Sequence, residues 1–152
     1  MKGLRIGILV VSMVLLFSTC VMAQGSQTIA KTDPPPVELH IFGFFNPAHL
    51  YLLDGSVSIA KSSGKAKISA TTYAKAVVSS IGFTIYLQKW TGSAWVDDGA
   101  GISLSANNRD DYDNFVTKNV ESGYYYRAHC VHWISNGGVY EQGDRYTDSI
   151  LM

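Results

Sequence analysis

From Gly55 onward, apolar and polar residues alternate with period two, the pattern of strands that put one face in a core and the other in water. Val57 and Ile59 alternate with serines up to a turn at Ser62-Ser63-Gly64, and Ala66, Ile68 and Ala70 carry the alternation through a second strand that ends near Thr72. The third strand is the clearest, with Ile81, Phe83, Ile85 and Leu87 on one side and Gly82, Thr84, Tyr86 and Gln88 on the other. Thr91 to Ala94 reads as a hairpin connection that brings Trp90 and Trp95 together at its tip. Residues 99–114, rich in Gly, Asn and Asp, predict an irregular stretch holding a short strand at Ile102 to Ser105, and Phe115 to Val120 predicts another. Two longer strands, Tyr124 to Ile134 and Val139 to Leu151, are separated by a turn at Asn136-Gly137-Gly138. With short strands, frequent turns and no amphipathic helix, the expected class is all-β: an antiparallel β-sandwich, immunoglobulin-like or fibronectin-like, with a small β-barrel as the alternative. Tyr124-Tyr125-Tyr126 stands where such folds place a tyrosine corner.

Ahead of the strands the pattern changes twice. Lys2 and Arg5, the apolar run Ile6 to Phe17 and the small-residue site Val21-Met22-Ala23 read as a secretory signal peptide over residues 1–23. Crossing a bilayer takes about 20 apolar residues, which this run does not supply; lipid anchoring at Cys20 is the alternative. Residues 24–36 end in Asp33-Pro34-Pro35-Pro36 and predict a polar, stiff linker, leaving 37–152 as a single β-sandwich domain. Leu39 to Leu53 is dense in apolar side chains and broken by Asn46-Pro47. It reads as strand or plug packed on the core, or as an apolar surface that meets a partner.

Charge narrows the partners. Twelve basic and twelve acidic residues balance in the full chain, and the leader carries away Lys2 and Arg5, so the mature net charge falls near −2. That composition lacks the basic stripe that nucleic acid requires and the polybasic cluster that holds proteins to anionic membranes. The expected localisation is secreted and extracellular, with no nucleic-acid partner and no membrane contact after cleavage. Cys20 leaves with the leader, so Cys130 has no intramolecular disulfide partner, and its apolar and aromatic neighbours predict a buried thiol.

Tyr51-Leu52, Gly55-Ser56-Val57-Ser58-Ile59, Thr72, Ala74 and the stretch Ile81 to Trp95 with its Tyr86-Leu87-Gln88-Lys89-Trp90 core are joined by Gly123-Tyr124-Tyr125-Tyr126-Arg127, His132, Gly137-Gly138, Glu141 and Thr147. Together these segments resemble a family of small secreted proteins of unknown function from Gram-positive bacteria, over roughly residues 50–151. The resemblance implies a secreted β-sandwich and transfers no catalytic residue.

Candidate chemistry lies near the C-terminus. A hairpin turning over Asn136 to Gly138 sets His132 directly opposite Glu141, with Tyr126, Ala128 and Cys130 on the same, inward face. A structural polar pair is the expectation, and general acid-base catalysis is the sharper alternative, for which no nucleophile or orienting group is visible. His129, Cys130 and His132 do not make a zinc site, because alternation sends His129 to the other face. Asp110-Asp111-Asp113-Asn114 reads as a solvated loop rather than a calcium site, since it lacks the glycine and terminal Glu of a calcium-binding loop. No cofactor or metal is expected. Trp90, Trp95, Trp133 and Tyr140 are the candidate ligand-binding residues, flat rings with a polar edge that suit a sugar or a peptide. The favoured function is a non-catalytic binding or interaction module at or outside the cell wall, with a cell-wall glycan or another protein as partner. An extracellular hydrolase using His132 and Glu141 is the second reading. A surface protein that self-associates through residues 39–53 is the third.

Overall fold

The computed structural model describes residues 28–37 and 45–152; the leader and Leu39 to Phe44 lie outside the described residues. Seven strands, β1 (Leu52–Ser62), β2 (Lys65–Trp90), β3 (Trp95–Asp97), β4 (Ile102–Asn119), β5 (Tyr125–Asn136), β6 (Val139–Tyr146) and β7 (Ile150–Leu151), form one antiparallel sheet. The all-β expectation holds, and of its two architectures the pairing draws the barrel-like one, a single sheet curled into a half-barrel.

Curling starts in β2. Its first half pairs with β1 on one edge, its second half pairs with β5 on that same edge, and β4 runs along the other edge of both halves. Between the pairs Tyr73↔Asp111 and Val78↔Arg109, β2 places residues 74–77 where β4 places only Asp110. Surplus length on one strand bends a sheet and increases its twist, so the two halves of β2 come to face each other. Ala66, Ile68 and Ala70 from the first half then pack with Phe83, Ile85 and Leu87 from the second, together with Ala128 and Cys130 of β5. Thr72, fully buried, ties the halves by donating its hydroxyl to the carbonyl of Gly82 at 3.0 Å.

Two stretches outside the expected strands are strand. Residues 73–80 continue β2 through the corner, and residues 106–114 belong to β4, not to a loop. The polar residues of β4 conceal it from a periodicity reading, because most of its side chains are exposed and it pairs with β2 alone among the described strands. Its backbone bonds come from β2, and its apolar share of the core is confined to Ile102, Leu104, Tyr112 and Val116.

The β5–β6 hairpin turns on Gly137 and Gly138, whose φ angles of 56° and 83° suit a two-residue turn that requires positive φ at both positions. Asn136 therefore pairs with Val139, His132 faces Gly143, and Glu141 faces Ile134. This corrects the expected pairing of His132 with Glu141; the inward face is nevertheless the one expected, since the slip moves each position by an even step. Tyr126 is fully buried and its hydroxyl accepts the amide of Glu121 at 3.0 Å, a bond back to the chain just upstream as in a tyrosine corner.

The polar segment 28–37 has no regular structure but lies against the sheet. The amide of Lys31 donates to the carbonyl of Gly123 at 2.7 Å, and the indole of Trp90 donates to the carbonyl of Asp33 at 3.1 Å. Glu121 receives Lys31 and Lys89 at 2.7 Å each, and these ammonium groups hold its carboxyl well down, at about 2.

Candidate functional site

Inside the half-barrel, the residues proposed for catalysis have separate structural duties. The Glu141 carboxylate accepts backbone amides from Leu50, Tyr51 and Leu52 at 2.5, 2.9 and 2.7 Å. Burial pushes its carboxyl up, but the three amides outweigh burial and hold it below the usual carboxylate range. Four residues along β6, Arg145 donates to the carbonyl of Gly55 at 3.0 Å and to Asp54 at 2.5 Å, and its guanidinium lies over the ring of Phe45. Glu141 and Arg145 thus fasten the start of β1 to β6 across a seam where backbone ladders do not meet.

His132 lies beneath that seam, fully buried between Phe45, Phe83 and the backbone of Gly55. Only glycine fits at 55, because a Cβ there would overlap the imidazole. The Thr72 hydroxyl already donates to Gly82, so it accepts from His132 Nδ1 at 2.8 Å; the proton therefore sits on Nδ1, and the buried Nε2 has no hydrogen-bond partner among the described residues. Burial, reinforced by Arg145, lowers the imidazole to about 4. His132 is enclosed and bonded to Thr72, Glu141 is held by three amides, and the register sets them opposite Gly143 and Ile134 rather than each other.

Cys130, next along β5, is fully buried, and burial pushes its thiol far up. Native protein is expected to leave a thiol reagent unconsumed over hours and to react fully once unfolded in denaturant. Rapid labelling of the folded protein would contradict this placement. His129 points to the opposite face, so His129, Cys130 and His132 do not converge, and among the described residues no group of three or more His, Cys, Asp or Glu is placed to hold a metal ion.

On the outer face the aromatic candidates divide. Trp90 is only 6 % exposed and its N–H is engaged by Asp33, while Trp95 stands 5.4 Å from it under the guanidinium of Arg127. These rings close the end of the sheet around the polar segment. Trp133 and Tyr140 instead come together in a stack, 6.2 Å between centroids and 24° between planes, with Tyr140 59 % exposed. Cross-strand register puts Trp133 beside Gly82 and Gly82 beside Ser105. The missing Cβ at Gly82 lets the indole lie down on β2: a methyl there would come within 2.8 Å of Trp133 Cζ2 and 2.7 Å of Ser105 Cβ.

Trp133 and Tyr140 border an open groove of about 530 Å³ that also takes in Thr84, Tyr86, Ser103, Val131 and Gln142. This volume is within the range of small-ligand sites. Its floor is hydroxyl and amide: Thr84 and Ser103 are hydrogen-bonded at 3.1 Å, and Gln142 lies across from Trp133. Beyond Tyr86, at the far side, His129 stacks between Tyr86 and Tyr146, parallel to Tyr146 within 4° at 4.3 Å, with Asp144 at 3.1 Å from its Nε2. Sequence alternation places Trp133 and Tyr140 outside the core, but Thr84, Tyr86, Ser103 and Gln142 join them only through the pairing of four strands. Comparison with family models, with curated proteins and with solved structures gave no match to this chain.

Proposed function

We propose that this protein is a secreted, non-catalytic binding module that acts at or outside the cell wall and seats its ligand on the outer face of the sheet. The leader pattern over residues 1–23 supports export. The observation that carries the binding reading is the pair Trp133 and Tyr140, laid flat at the border of a groove with a polar, uncharged floor. Rigid rings beside a few placed polar groups are the usual make-up of a binding site. His132 and Glu141, the residues a hydrolase would need, are bound to Thr72 and to the amides of residues 50–52.

The test is retention of the purified protein on peptidoglycan, on teichoic acid and on intact cells, alongside Trp133→Ala and Tyr140→Ala. Retention on at least one of these, lost in both variants while their circular dichroism stays unchanged, is the expected result. Failure of all three materials to retain the protein, or undiminished retention by the variants, would remove the proposal.

A further inference from the structure

Resting on that reading, we propose that the groove is a cradle for a neutral glycan chain built of hexose rings with equatorial substituents, one ring lying over Trp133 and the next over the floor towards Tyr86. Four features of the groove select this class.

Its platform is flat by construction. Gly82 leaves room for the indole of Trp133 to lie close against β2, and the Tyr140 ring stacks beside it within 24° of parallel, so the two form one aromatic surface. A hexose with equatorial hydroxyls turns a face of C–H bonds outward, and such a face packs on an aromatic plane while the hydroxyls stay at the rim.

The floor offers groups that both donate and accept. Thr84, Ser103 and Gln142 match sugar hydroxyls, which also do both.

Charge excludes the anionic glycans. Among the described residues, neither Lys nor Arg lines the groove. Arg127, further along β5 on this face, donates to Gln88 at 2.8 Å and lies over Trp95 and Tyr146. The charged neighbour of the floor is Asp144, paired in register with Val131, and it repels uronate, sulfate or phosphate.

Position on the sheet excludes an extended peptide. Residues 80–85 of β2 are paired with β4 on one side and β5 on the other, so the groove presents no spare backbone donors or acceptors for an added strand. Recognition there is by side chains alone. The backbones of Trp133 and Tyr86 are one strand and four residues apart, about 14 Å by sheet spacing, a span that takes several rings of one chain rather than a single sugar.

The experiment is titration of the ¹⁵N-labelled protein with cello-oligosaccharides and chitin oligosaccharides, with oligogalacturonate as the anionic counterpart and an unstructured peptide as control. The expected result is a saturable shift of the Trp133 indole resonance with at least one neutral series. Trp90 and Trp95 should stay unmoved, and oligogalacturonate should bind at least tenfold more weakly. Trp133→Ala and Tyr140→Ala should each weaken binding at least tenfold; should Trp133→Ala fold poorly, the resonance map of the unaltered protein and Tyr140→Ala still decide the matter. A flat titration with both neutral series, preference for the anionic oligomer or the peptide, or shifts confined to Trp90 and Trp95 would overturn the inference. Wall retention without neutral-oligosaccharide binding sinks this inference and spares the binding-module reading. Absence of both sinks the two together.

Discussion

Replacing Glu141 by Ala is expected to lower unfolding free energy by about 4 kcal/mol and the urea midpoint by on the order of 2 M. Hydrogen bonds to a charged acceptor are worth roughly 1.5–3 kcal/mol each, and Glu141 serves three amides at once. Water can reach the exposed Leu50 amide in the variant, but the amide of Leu52 belongs to a residue 1 % exposed and is stranded. Glu141→Gln keeps the shape with a weaker acceptor and turns an NH₂ towards the amides, so its loss should be intermediate. Because the folded carboxyl lies below its ordinary value, this stabilisation is fully present above the unfolded value of 4.5 and fades as pH falls through the lower folded one. Equilibrium urea unfolding at pH 7 checks the claim. A loss under about 0.5 kcal/mol, the level of an ordinary surface substitution, would show that β1 is held by something else.

The second large effect is acid sensitivity through His132. Its folded value of about 4 lies below its ordinary 6.5, so between these limits the unfolded chain binds a proton that the folded chain refuses. Stability from this group is complete above pH 6.5 and is lost as pH falls towards 4, by about 3 kcal/mol in all at roughly 1.4 kcal/mol per unit. His132→Asn retains a donor towards Thr72 without a group that titrates in this range. The variant should be less stable at neutral pH because a cavity is left, yet its stability should stay nearly level from pH 6.5 to 4.5. Parallel pH profiles for the two proteins across that window would reject the assignment, since the carboxylates act mainly below it.

Alternation was legible in the chain wherever a strand has one buried and one wet face: β5 and the second half of β2 were readable residue by residue, including which way Trp133 and His132 point. It was legible at the two ends of β4, Ile102 to Ser105 and Phe115 onward, but not between them, where polar side chains predominate and the strand is defined by its neighbour. Register was misread at one hairpin because Asn136 was counted into the turn; two consecutive glycines, each able to take positive φ, were the available sign that the turn is Gly137-Gly138 alone. The partners of Glu141 are backbone amides some ninety positions away, and backbone amides carry no side-chain signature. Likewise the meaning of Gly82 depends on which residue lies across from it. The groove was therefore half visible, its rings readable from parity and its floor only from strand pairing.

The outer edge of β4 gives the acidic residues of that strand a purpose that neither calcium nor catalysis supplies. The edge of a strand eighteen residues long, with no second partner among the described strands, is a template on which copies of the same chain can stack into fibrils. Asp110, Asp111 and Asp113 fall in the middle of it, so two such edges brought together would set carboxylates against carboxylates. Polar composition there works against edge-to-edge pairing of an incompletely closed barrel.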